Sequence, residues 1–239
     1  MVRRNAAALP RLVPAERMME DRLVHVRISR RIERCSVLGP GVRAVIWVQG
    51  CPLRCPGCIA QETLSFSGGE VIEVATLAEW VLDIADIDGL TLSGGEPFSQ
   101  ADALAALIDA IRTDRPDLHV MAYSGHTVEE LQAMPQARPL LTRVDLLVDG
   151  PYRRDLHADS RWRGSANQRL IPLTVRGSLP HEPDQSAGIE VSLESDGSLS
   201  WAGVPAVPNF RRALERSLRQ RGFELNVTDP TDQPKRNEQ

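Results

Sequence analysis

Three of the four cysteines lie within eight positions, in the run Cys51-Pro-Leu-Arg-Cys55-Pro-Gly-Cys58, a C-x3-C-x2-C array; Cys35 stands apart upstream. Thiolates are soft ligands, and three from one short loop can hold three corners of a [4Fe-4S] cubane. A cubane has four irons, so one iron would stay open to a further ligand. Two other chemistries compete for the same residues. A structural zinc needs a fourth ligand, for which Cys35, His25, His119, His126, His157 or His181 are available. A disulfide would leave a close third thiol unexplained. The spacing favours iron-sulfur over zinc, because zinc loops usually come as paired C-x2-C knuckles and the second knuckle is missing.

A site of this kind needs neighbours that approach it closely. Ser93-Gly94-Gly95-Glu96-Pro97 follows the apolar stretch GLTLSGG, and glycines after a strand let backbone come near a ligand. Tyr123-Ser124-Gly125 and Asp149-Gly150 end two later stretches of the same type. Polar groups at the carboxyl ends of successive parallel strands converge on one mouth. Ser124 and Asp149 are therefore candidate ligand contacts, with ordinary turn and cap roles equally open to them.

The elements that must position these residues alternate along the chain. LVHVRIS and AVIWVQG read as strands, and the cysteine loop begins where the second ends. TLAEWVLDIADI places Leu77, Trp80, Val81 and Ile84 on one helical face, with Thr76 as its expected N-cap. Strand GLTLSGG, helix SQADALAALIDAIR, strand LHVMAYSG, a helix from Thr127 and strand VDLLVDG follow. Such a β-α-β succession predicts an α/β fold with a parallel sheet and crossover helices. After Pro151 the chain turns polar and arginine-rich; IEVSLESDGSLSWAG then reads as a hairpin turning at Asp196-Gly197, and FRRALERSLRQRG as a helix ended by Gly222.

Composition narrows the function classes. The 239 residues carry 28 basic and 32 acidic side chains, a formal charge of −4, so the total gives no nucleic-acid footprint. No apolar run approaches the ~18 residues of a membrane span, and the arginine-bearing start lacks the apolar centre of a secretory signal. A cytoplasmic location is expected. Lys235 is the only lysine, which leaves no lysine in the predicted folded body for Schiff-base or general-base chemistry. Between Arg54 and Arg112 there are ten acidic residues and no basic one.

GCPLRCPGC with the downstream LTLSGGEP resembles the radical S-adenosylmethionine (SAM) superfamily. The resemblance implies a partial (βα) TIM-like barrel with Cys51, Cys55 and Cys58 as ligands of the [4Fe-4S] cluster. It implies SAM on the open iron, cleaved reductively to methionine and a 5′-deoxyadenosyl radical. It also implies an adenosine pocket beside Gly57 and Ile59 and a methionine contact from Gly94, Gly95 and Glu96, while Ser124 and Asp149, from their place at strand ends, are candidate contacts to the SAM ribose or carboxylate.

Within the superfamily, Arg27 to about Leu173 is similar to the activating enzymes of glycyl radical enzymes, most of all to those of anaerobic ribonucleotide reductase. Gly39-Pro40-Gly41-Val42-Arg43, Leu147-Val148-Asp149-Gly150-Pro151-Tyr152 and Trp162-Arg163-Gly164-Ser165-Ala166-Asn167-Gln168 carry this likeness. A glycyl radical enzyme, of the ribonucleotide reductase or pyruvate formate-lyase type, is the implied partner, with an external donor such as flavodoxin or ferredoxin. Peptide- or small-molecule-modifying radical chemistry, for example of the deazapurine carboxylate synthase kind, is the alternative; a zinc-stabilised binding module is the alternative of another class. The expected organisation is a disordered arm over 1–20, a radical SAM core over 21–178, a hairpin-helix extension over 179–227 and a disordered tail over 228–239.

Overall fold

A computed structural model describes residues 24–179, 183–193, 197 and 199–223. The arm over 1–20, the tail over 228–239, His181 and Asp196 lie outside these residues. Strand β1 (His25–Cys35) runs into β2 (Arg43–Val48); after the cysteine loop come β3 (Glu70–Glu73), α1 (Val74–Asp83), β4 (Gly89–Gly94) and α2 (Ala101–Asp114). Then follow β5 (His119–Tyr123), α3 (Val128–Ala133), α4 (Arg138–Leu141) and β6 (Leu146–Asp149). Short strands β7 (His157–Ser160), β8 (Arg163–Ser165) and β9 (Arg169–Pro172), the hairpin β10 (Ile189–Leu193) and β11 (Leu199–Gly203), and α5 (Phe210–Gln220) complete the chain.

Seven strands form one sheet in the order β3-β1-β2-β4-β5-β6-β9. Its centre, β2-β4-β5-β6, is parallel, as the alternation of strands and helices predicts. Both margins are antiparallel: β1 pairs with β2 and β3, and β9 pairs with β6. The short β3 and the β9 return escape a pattern-based reading because neither shows a sustained apolar alternation. The protein is thus mixed α/β with a large sheet whose edges are β3 and β9.

Period-two alternation gives each central strand two buried faces. Ala44, Ile46, Val48, Leu90, Leu92, Val120, Ala122 and Leu147 pack under α1 to α4 in the main core. On the other face, Val45 and Trp47 pack with Cys35, Val37, Leu38 and Ala202, while Met121, Leu146 and Val148 pack with Trp162. Among the described residues, that second face is packed by loop residues and by the β10-β11 hairpin. Helix α1 starts two residues before the expected cap, from Glu73, so Thr76 lies inside its first turn. Thr127 does cap α3, in a capping box with Glu130.

The amino ends of the parallel strands are closed by buried charge. Arg43 is 0% exposed and donates to Thr91 Oγ1 (2.6 Å) and to the carbonyls of Pro40, Leu90 and His119, with burial lowering its pKa to about 10. Asp145, also 0% exposed, accepts from Arg112 (2.7 Å), Arg176 (3.1 Å), Thr174 (2.7 Å) and the Val120 amide (2.9 Å). The GPGVR motif therefore serves the end of the sheet away from the cysteines. The carboxyl ends are left for the loops.

Candidate iron-sulfur site

The cysteine loop leaves the carboxyl end of β2 and is held from three sides. Its base is pinned by Gly50 N–H to Thr63 O (2.8 Å) and Cys51 N–H to Leu64 O (3.2 Å), while Gln49 Nε2 donates to Glu62 O and Ser65 O. From the β4 side, Gly95 N–H reaches Val48 O (2.8 Å) and Glu96 N–H reaches Gly50 O (2.9 Å). A Cβ on Gly95 would collide with the Gly50 carbonyl, so glycine is what lets the β4 turn lie against the root of the loop. From the β5 side, Leu53 of the loop sits on Gly125, where again a Cβ would collide. From the β6 side, Arg154 and Tyr152 lie over Gly57, whose φ of +79° suits glycine.

The thiols sit together without being bonded to each other. All four cysteines are free, Cys51 is buried, and Cys55 and Cys58 are half-buried. Burial raises the Cys58 pKa to about 11, helped by the charges of Cys55, Cys51 and Glu62; burial likewise raises that of Cys51, with Glu96 and Cys55 adding to it. Buried thiols such as Cys51 and Cys58 form a donor set suited to a positive centre, since bound cations reverse this balance and stabilise the thiolates. Among the described residues, no three His, Cys, Asp or Glu side chains are grouped to hold a single metal ion. A cubane does not need its thiolates gathered on one ion, because it spreads them over three separate irons. Cys35, 1% exposed, belongs to the apolar cluster of Val37, Leu38, Val45, Trp47 and Ala202. The residues fit a three-thiolate cluster.

The residues expected beside a ligand divide into two groups. Gly57, Ile59, Gly94 and Gly95 stand around the cysteine loop, and Ile59 leaves 48% of itself exposed next to Cys58. Glu96, Ser124 and Asp149 face inward. Glu96 is 2% exposed; its Oε1 accepts from the Phe98 amide (3.0 Å) and Ser124 Oγ (3.1 Å), and its Oε2 from the Gly125 amide (2.9 Å). This carboxylate ties the β4 turn to the β5 turn. Asp149, 0% exposed, accepts from the Val128 amide (2.8 Å) and from Arg169 (2.5 and 3.0 Å), and Arg169 reaches on to Glu129. Its carboxylate fastens β6 to α3 and β9 within the protein.

The polar run after Pro151 is an ordered brace. Gln168 Oε1 accepts from the Gly164 and Ser165 amides while its Nε2 donates to Gly150 O (3.1 Å); Asn167 Nδ2 donates to Pro151 O (2.8 Å). Trp162 is 6% exposed against Met121, Leu146 and Val148. Arg163 pairs with Asp184, drawing the later segment onto the loop. Sequence reasoning had no signal for the Glu96 and Arg169 ties, because their partners are backbone amides and residues distant in the chain.

An α/β sheet that presents three free thiols on one clamped loop, at the carboxyl ends of parallel strands, defines the class of single-cluster iron-sulfur proteins. Residues 37–171 match the family described as 4Fe-4S single cluster domain. The chain belongs to that family, in the branch of the anaerobic ribonucleoside-triphosphate reductase-activating proteins. The protein of that name from Vibrio cholerae is 38% identical over 147 residues, 58% of this chain and 93% of its own. That from Enterobacteria phage T4 is 32% identical over 145 residues, 59% and 90%, and that from Escherichia coli K12 is 32% identical over 139 residues, 55% and 89%. Among solved structures, QueE from Escherichia coli aligns over 43% of this chain and 54% of its own, at 16% identity and a TM-score of 0.35, too distant to add to the assignment. No helix of the described residues is long and apolar enough to cross a membrane.

Proposed function

We propose that this protein is a radical SAM activase that installs a glycyl radical on an anaerobic ribonucleotide reductase, with Cys51, Cys55 and Cys58 holding the [4Fe-4S] cluster. Bound and reduced, such a cluster supplies the electron that splits SAM into methionine and a 5′-deoxyadenosyl radical, which then takes hydrogen from a glycine Cα of the partner. The chain's own residues position these reactants. Gly94 and Gly95 bring bare backbone to the root of the cysteine loop, where the amino and carboxylate groups of SAM would lie. Ile59, apolar and exposed beside Cys58, offers a surface for adenine. Glu96 and Ser124 fix the distance between the β4 and β5 turns, and Asp149 fixes the β6 turn, so these three act by positioning.

In this reading β2, β4, β5 and β6, with helices on one face, are the parallel part of a partial (βα) barrel. Residues 21–178 form the core and 179–227 an extension. The electron comes from an external donor, and the reducing cytoplasm is its setting. One observation carries the reading: the three-cysteine loop is clamped against Gly95 and Gly125 in a chain whose relatives are named as activating proteins. The test is anaerobic incubation of cluster-loaded protein with SAM and dithionite. Equal amounts of 5′-deoxyadenosine and methionine are expected; protein that binds zinc with no iron or sulfide, or that leaves SAM intact, contradicts it.

A further inference from the structure

Helix α5 lies beyond residue 171, where the family match ends, and it carries an unusual distribution of charge. Phe210, Leu214 and Leu218 are half-buried at helical spacing, with the Phe210 ring 5.9 Å from that of Trp201. The exposed side holds Arg212, Arg216 and Arg219, at i, i+4 and i+7. Like charges at these spacings repel and weaken a helix. Arg211 has Glu215 at 2.8 Å, but no ion pair or side-chain hydrogen bond among the described residues engages the three. A stripe of like charges that forms no ion pair within the described residues suits an external acidic surface.

The stripe starts beside the cysteine loop. Asn209, the residue before α5, accepts from Arg154 (3.1 Å), and the Arg154 stem is 3.2 Å from where a Cβ on Gly57 would stand. Arg54, exposed in the loop itself, adds a further positive charge. By contrast, the segment between Arg54 and Arg112 has ten acidic side chains and no basic one, in a chain of net charge −4. An acidic protein is repelled from that segment and drawn to α5.

We infer that the arginine face of α5 is the docking surface for an acidic electron-donor protein that reduces the cluster. The inference rests on the function proposed above. With three of four cysteines in the loop and Cys35 sealed in an apolar cluster, the chain has no second thiolate set to relay electrons, so the donor must dock close to the loop. Docking forms no covalent bond: the donor loses one electron and the cluster gains it.

The test uses cluster-loaded full-length protein, a reduced acidic flavodoxin as probe, and the variant R212E/R216E/R219E beside R212Q/R216Q/R219Q. Because α5 has no fully buried residue, these substitutions leave the core packing untouched. Flavodoxin affinity at low salt is expected to fall at least tenfold in the glutamate variant and less in the glutamine variant, with the salt dependence of the wild type lost. Cluster reduction by dithionite is expected at the wild-type rate. Unchanged flavodoxin affinity overturns the inference, as does a loss confined to the glycyl radical partner. Failure of the wild type to cleave SAM with dithionite would instead sink the proposed function, without reference to α5.

Discussion

Cys55→Ala is expected to abolish reductive SAM cleavage and to strip the protein of most of its iron and sulfide, and Cys51→Ala and Cys58→Ala are expected to do the same. The loop offers three thiols within eight positions, all free, and it offers no spare. With two thiolates left, a cubane would have two unprotected irons where SAM can occupy only one. Cys35→Ala serves as the control. That side chain is 1% exposed among Val37, Leu38, Val45, Trp47 and Ala202, so its loss leaves a small cavity costing about 1 kcal/mol in stability. Iron content and SAM cleavage should be retained. Iron and sulfide analysis with 5′-deoxyadenosine chromatography reads both results; full cleavage activity in Cys55→Ala would remove the cluster assignment.

The second large effect is expected at a residue that need not touch the reactants. Glu96→Ala removes the acceptor of three donors, the buried Phe98 amide and Ser124 Oγ and the half-buried Gly125 amide. A buried donor left unpaired costs about 1–3 kcal/mol, so a loss of about 3 kcal/mol or more is expected in chemical denaturation. Glu96→Gln should not restore it fully. An amide has one acceptor oxygen, and its NH2 group would face one of the donating N–H groups. With the β4 and β5 turns no longer tied, SAM would be misplaced by a fraction of an ångström to an ångström, for which about a 10²-fold loss of rate is expected. Iron content should stay at the wild-type level, since the thiolates are untouched. If Glu96→Gln matches the wild type in both stability and cleavage, the positioning role is wrong.

Much of this arrangement was legible in the residues alone. The three-cysteine spacing, the strand-glycine turn at Gly94-Gly95 and the alternation of strands and helices each report a local requirement, of ligand number, close approach or amphipathic period. The parallel pairing at the centre of the sheet followed from them. What escaped was non-local. Strand β3 has four residues and one buried side chain, and β9 ends on Pro172, so neither shows the pattern of an interior strand. Thr76 looked like a cap because Thr often is one, yet pairing of β3 with β1 fixes the chain up to Glu73 and lets α1 begin at Val74. The resemblance placed Glu96 at a ligand, and Asp149 was open to either a ligand contact or a turn or cap role. Their carboxylates accept from amides and from Arg169, bonds that only the folded chain brings into reach. Trp162 to Gln168 stood out by resemblance, and its work as a brace for the β6 turn became visible only in three dimensions.

The most direct measurement of the central claim is electron paramagnetic resonance of an anaerobic ribonucleotide reductase incubated with this protein, SAM and a reductant. A glycyl radical signal on the reductase is expected, growing in step with 5′-deoxyadenosine and absent with Cys55→Ala. Sustained SAM cleavage with no glycyl signal on that partner would contradict the activase assignment and turn attention to a small-molecule or peptide substrate.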